Sequence, residues 1–265
     1  MYHAKEQLLK TDRMQMWYLT FGSGTKPLVL LQGLNTRGIR GAANGLAWMY
    51  RRFAKSYKVY LFDRRENLPE DVTIRDLAAD TAEAMDALGI RQADVLAVSQ
   101  GGMIAQYLAI ERPDLVNRMV LVVTLSRTNA TVTKAVENWI QLTRQQNWKS
   151  LVADMAEKLY SDAYLNRCRL FLPLLTMVQK PKDAERFITL AGSCLTCSTY
   201  EMLDRIHCPV LVIGGGRDQI VSGEASVELA QRLGCPLHMY EDLGHGAYEE
   251  AGDFQERVYR FLQGI

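Results

Sequence analysis

The chain has 265 residues, 48% of them hydrophobic, with 31 basic and 30 acidic side chains and a formal net charge of +1. That is enough for one sizeable core with an insertion. The balanced charge supplies no field to attract nucleic acid or an anionic membrane, so the expected partner is a small-molecule substrate. No apolar run approaches the ~18 residues of a membrane span, and the leading MYHAKEQLLKTDRMQMWY has no apolar signal core, which predicts a cytoplasmic protein. A homo-oligomer is as compatible with this composition as a monomer.

Residues 14–20 and 27–31 read as two strands that the turn-rich segment 22–26 would join into a hairpin. The second, Leu28-Val29-Leu30-Leu31, runs into Gln32, Gly33, Leu34 and Asn35, a loop whose glycine marks a close backbone approach. A helix is predicted within 41–55, and a strand over 57–62 ending at Asp63. Residues 73–89 form the clearest amphipathic helix, with Ile74, Leu77, Ala78, Thr81, Met85 and Leu88 at helical spacing and Gly89 as its stop.

The run DVLAVSQGGMIAQYLAIERP follows. Val95, Leu96, Ala97 and Val98 are a continuous apolar strand, as in a sheet covered on both faces. Ser99 then has Ala97 two residues before it and Gly101 two after, a GxSxG-type nucleophile elbow with alanine in the first small position. Met103, Ile104, Tyr107 and Leu108 carry the helix that follows to its stop at Pro113, so a helix N-terminus lies under the serine. Alone, such a string also fits an ordinary serine N-cap, and the rest of the chain has to decide.

After the apolar strand 119–123, residues 126–204 offer helical segments broken at Asn147, at Ser161 and Asp162, and over 179–183, with no strand signal. Trp139, Ile140, Leu151, Met155, Leu159, Phe171, Leu174, Met177 and Phe187 in this insertion read as packing residues. Alternation resumes with a strand at 209–213, a helix at 224–233, a strand at 236–240 and a helix at 254–262. The pattern is an α/β fold: a mostly parallel, eight-stranded sheet with helices on both faces, built from 1–125 and 205–265 and interrupted by 126–204.

Five cysteines, Cys168, Cys194, Cys197, Cys208 and Cys235, are odd in number and scattered, which predicts reduced thiols. Cys194 and Cys197 make a CxxC without a second pair at zinc spacing or a preceding strand, and it reads as structural.

In an open parallel sheet, ligands bind beyond the carboxyl ends of the strands. The loop after strand 209–213 holds Asp218, and the loop after strand 236–240 holds His245. Of the other histidines, His3 lies in the leading segment, His207 before a strand and His238 within one. Asp242, three residues before His245 on the same loop, is poorly placed to reach behind the imidazole ring. Gly214, Gly215 and Gly216 match no phosphate loop and read as turn-formers before Asp218. Ser99, Asp218 and His245 are thus the expected nucleophile, orienting acid and general base, in the chain order of an α/β-hydrolase triad. The oxyanion would be held by the backbone N–H groups of Gln100 and Leu34.

Through LVLLQGLN, TIRDLAADTAEAMDALGI, AVSQGGMIAQYLA, PVLVIGGGRDQIV and LGHGAY, nearly the whole chain resembles the cap-bearing serine α/β-hydrolases. That superfamily includes carboxylesterases, enol-lactonases, carbon–carbon bond hydrolases and cofactor-free haloperoxidases. The resemblance implies that 126–204 is a helical cap that selects the substrate. Two departures stand out: Gln32 where the family commonly has histidine, and Arg64, Arg65, Glu66 and Asn67 where relatives carry a GxGxS turn. The expectation is a serine hydrolase, needing no metal and no cofactor, that cleaves a small carboxylic ester, lactone or related acyl compound. A ligand sensor that keeps the triad with slow turnover, and a carbon–carbon bond hydrolase or perhydrolase, are the alternatives.

Overall fold

The structure, a computed structural model, describes residues 3–168 and 180–265. Its eight strands are β1 (Lys5–Lys10), β2 (Gln15–Phe21), β3 (Lys26–Leu31), β4 (Tyr57–Phe62), β5 (Ala93–Val98), β6 (Val116–Val122), β7 (Val210–Gly215) and β8 (Leu237–Tyr240). They form one sheet in the order β1-β2-β4-β3-β5-β6-β7-β8. β2 runs antiparallel to both β1 and β4, and every other pairing is parallel.

Successive strand residues face opposite sides, so a strand covered on both faces must be apolar throughout. In β3, Leu28 and Leu30 belong to the buried cluster that also holds Phe53, Ala47 of α1 (Ala43–Met49) and Val258 of the C-terminal α10 (Phe254–Gln263). Val29 and Leu31 point the other way, toward Leu77 of α2 (Ile74–Ala87), Ile104 of α3 (Gln100–Glu111) and Leu229 of α8 (Gly223–Leu233). All six residues of β5 are buried. α2 starts at a capping box: Thr73 accepts from the Asp76 N–H at 3.2 Å, and Asp76 accepts from the Thr73 N–H at 2.9 Å.

The expected hairpin between residues 14–20 and 27–31 does not form. β2 instead pairs with β1, through the turn at residues 11–14, while β3 lies between β4 and β5. The glycines of 22–26 serve a crossing. A Cβ on Gly24 would stand 2.1 Å from the Ser56 carbonyl carbon, and one on Gly22 would stand 2.3 Å from Tyr57 O. The segment therefore lies against the turn that enters β4 and carries the chain over it. β1, KEQLLK, was not expected because a half-exposed edge strand with two apolar residues has no readable alternation.

Between β6 and β7 lie α4 (Ala130–Arg144), α5 (Trp148–Leu159), α6 (Asp162–Cys168) and α7 (Ala184–Ser193). Asn129, Asn147 and Asp183 cap α4, α5 and α7 with their side-chain oxygens. Trp139, Leu151 and Phe187 are buried in the same cluster as α2 and α3. Phe171, Leu174, Met177 and Gln179 lie outside the described residues. Among the described residues no helix is long and apolar enough to cross a membrane.

Candidate active site

Ser99 is the residue between β5 and α3, with φ at +53° and ψ at −119°. A non-glycine residue there stores strain of order 1–3 kcal/mol, which the surroundings must hold. They do so with four hydrogen bonds. The Ser99 N–H donates to Val122 O at 2.8 Å, and Ser99 O accepts from the N–H groups of Gly102 and Met103 and from the Thr124 hydroxyl. The small neighbours are a steric requirement: a Cβ on Gly101 would sit 2.1 Å from Leu31 O. A Cβ on Gly33 would sit 3.1 Å from Ser99 Cβ, so the loop after β3 packs directly on the serine.

Asp218 and His245 meet at the ends of β7 and β8. His245 Nδ1 lies 2.8 Å from Asp218 Oδ2, and both residues are buried. The other carboxylate oxygen, Oδ1, accepts from the N–H groups of Ile220 at 2.8 Å and Val221 at 2.9 Å. The acid is thereby fixed with one oxygen turned to the imidazole, the arrangement that locks a ring into one tautomer. Asp242 points elsewhere, to an exposed ion pair with Arg217.

The expected turn forms before Asp218, whose N–H donates to Gly215 O at 3.2 Å with Gly216 at the turn; Gly214 and Gly215 also lie within β7, and none of the three glycines has a positive φ. They also permit close packing, because a Cβ on Gly215 would stand 2.1 Å from Gly244 O and one on Gly216 would stand 2.7 Å from Glu241 O. The bare backbone lets the histidine loop lie on the strand that carries the acid.

Among the described residues, no hydrogen bond joins Ser99 Oγ to His245, and no protein acceptor takes the N–H of Leu34 or Gln100. The Gln100 N–H belongs to the first turn of α3, which has no intrahelical acceptor. Among the described residues no group of three or more His, Cys, Asp or Glu side chains could hold a metal ion.

Several residues around the elbow carry no signal in the sequence. Val123, β-branched yet at φ +43°, turns the chain out of β6 and leads into Thr124, whose hydroxyl bonds Ser99 O. Arg64 is buried beside the loop after β3; desolvation lowers its guanidinium to about 10, against the opposing influence of Asp63. The insertion also touches the site from two sides. Leu159 O, at the end of α5, accepts from the Gly246 N–H at 2.6 Å, and Tyr160 and Ser161 bond Glu249 and Glu250 of α9 (Ala247–Glu250). At the other side Gln100 Nε2 donates to Leu190 O of α7 at 2.7 Å.

The family model described as alpha/beta hydrolase fold matches residues 26–252. A protein of Caulobacter sp. (strain K31) named for carbamate hydrolysis, RutD, is 27% identical over 252 residues, covering 91% of this chain and 92% of its own. The 3-oxoadipate enol-lactonase 2 of Acinetobacter baylyi (strain ATCC 33305 / BD413 / ADP1) is 24% identical over 226 residues, covering 83% and 82%. The solved enol-lactonase of Burkholderia xenovorans LB400 superposes with a TM-score of 0.83 at 21% identity, over 97% of this chain and 100% of that one, and so shares its fold. With its strand order, its strained serine after β5 and its paired acid and histidine after β7 and β8, the chain belongs to the alpha/beta hydrolase fold family.

Proposed function

We propose that the protein is a serine hydrolase that cleaves a small carboxylic ester, lactone or related acyl substrate through a Ser99–His245–Asp218 triad. The observation that carries this reading is the buried 2.8 Å bond between His245 Nδ1 and Asp218 Oδ2, formed at the same strand ends as a strained serine elbow. It leaves Nε2 as the basic nitrogen. On substrate binding Ser99 Oγ closes to within about 3 Å of it, since such bonds are often long before the complex forms.

Ser99 Oγ then attacks the acyl carbon and passes its proton to His245 Nε2. The tetrahedral oxyanion takes the N–H groups of Leu34 and Gln100. Collapse breaks the acyl–oxygen bond, and the leaving oxygen receives the proton from His245. Water attacks the acyl-enzyme, gives its proton to His245, and the acid leaves as Ser99 is restored. The helices of residues 126–204 act as the cap that encloses the substrate. Two relatives named as an enol-lactonase and for carbamate hydrolysis agree with chemistry at an acyl carbon.

Steady-state hydrolysis of short-chain p-nitrophenyl esters by the wild type and Ser99→Ala tests this. Turnover is expected to fall by about 10⁴-fold or more in the folded variant, as in comparable triads. Equal turnover by both proteins would refute the reading. Tight binding of substrate by the wild type with negligible turnover would favour a sensor.

A further inference from the structure

A buried guanidinium needs partners for its donors, and Arg64, only 4% exposed, finds unusual ones. Among the described residues no carboxylate forms an ion pair with it. The side chain of its neighbour Asp63 is occupied by the backbone N–H groups of Ile39 and Arg64 itself. The guanidinium donates instead to neutral oxygens: Nη2 to Gln32 O at 2.7 Å, and Nε and Nη2 to Gln100 Oε1 at 3.3 and 3.2 Å.

These two acceptors belong to the two segments that supply the proposed oxyanion donors. Gln32 begins the loop that continues through Gly33 to the Leu34 N–H, and Gln100 carries the other N–H on its own backbone. The Gln100 side chain is held from its far side by α7, through Leu190 O and Ser193 Oγ. The Arg64 backbone is held by α7 as well, because Arg186 Nη2 donates to Arg64 O at 2.9 Å.

We infer that Arg64 is a positioning residue that clamps the Gln32–Leu34 loop to Gln100 and so fixes the spacing of the two oxyanion-hole donors. This rests on the reading of Ser99 as the nucleophile. The planar guanidinium suits the task, since it reaches two acceptors in a fixed fork, whereas an ammonium is a point donor on a flexible stem. Its charge, which no carboxylate meets in a direct ion pair among the described residues, also favours the anionic tetrahedral state over the neutral ground state. An oxyanion donor acts only when aimed at the oxygen of that state, so a loosened clamp weakens transition-state binding more than substrate binding.

The test uses Arg64→Lys and Arg64→Met, with active sites counted by titration with a p-nitrophenyl phosphonate and ester turnover expressed per titrated site. For Arg64→Met, kcat per site is expected to fall about 10- to 100-fold with KM within about threefold of the wild type. Arg64→Lys should fall in between. A merely structural arginine would lower the number of titratable sites and leave kcat per site unchanged, and that result for a folded variant overturns the inference. Arg64→Lys keeps the cation on a single donor nitrogen, so it decides on the same criterion if Arg64→Met does not fold. Failure of the reading beneath is distinguishable: a wild type that releases no p-nitrophenol from the phosphonate, or releases it equally as Ser99→Ala, removes the nucleophile and with it the clamp.

Discussion

Asp80 is a carboxylate in an apolar place. It lies on the buried face of α2, and Arg65 Nε stands 3.3 Å from its Oδ2 without completing a hydrogen bond. Burial pushes its carboxyl up to about 6, with Arg65 opposing. The unfolded value is about 3.9, so between that pH and 6 the folded state holds more protons than the unfolded chain, and stability falls as pH rises. Asp80→Asn removes the titration. The stability of the wild type relative to this variant is therefore expected to drop by up to about 3 kcal/mol between about pH 4 and pH 7. Urea melts of both proteins check it, and a pH-independent difference would contradict it. Other residues differ in how far the sequence announces them. Ser99 and Gly101 were legible because the elbow's sterics are local, a matter of five consecutive residues. The meeting of Asp218 with His245 was legible because strand ends limit the choice. Arg64 was not, because its meaning depends on Gln100, 36 residues away, and on Gln32. The left-handed backbone of Val123 was not either, since nothing about valine suggests it.

Among the elements, the contact between α5 and the histidine loop has the most direct consequence for the site. Gly246 has φ at −78°, so alanine meets no backbone penalty there; the obstacle is space. A Cβ would stand 2.7 Å from Leu159 O and 2.9 Å from Tyr160 Cδ1. Gly246→Ala is expected to push the end of α5 away from the loop that carries His245. A displacement of about 1 Å at a reacting group can cost 10²-fold, so ester kcat/KM should fall at least about tenfold, with a lowered thermal midpoint. Unchanged kcat/KM and midpoint would mean that the contact is incidental. The central strands and the helices with a clean apolar stripe, such as α2, could be read from periodicity. The pairing of β2 could not, because glycines that allow a close crossing look the same in sequence as glycines that form a hairpin turn. The run 214–216 could be read as leading into a turn before Asp218, but not as the surface on which the histidine loop packs.

At the scale of the whole molecule, the sheet sets the acid, the histidine and the serine at the carboxyl ends of β7, β8 and β5, and the insertion binds this edge from two directions. α5 holds the histidine loop, while α7 holds Gln100 and, through Arg186, the backbone of Arg64. In the proposed reaction the same helices would both enclose the substrate and align the groups that act on it. The order of strands was legible as a class from the alternation of strands and helices, and the contacts between insertion and core were not, since they join segments distant in the chain. The central claim is that Ser99 is the nucleophile activated by His245. It is tested most directly by treating the protein with a fluorophosphonate and mapping the modified peptide by mass spectrometry. The account predicts one phosphonyl group, on Ser99, absent from Ser99→Ala and formed far more slowly in His245→Gln. A folded wild type that takes up no label, or carries it on another residue, would contradict it.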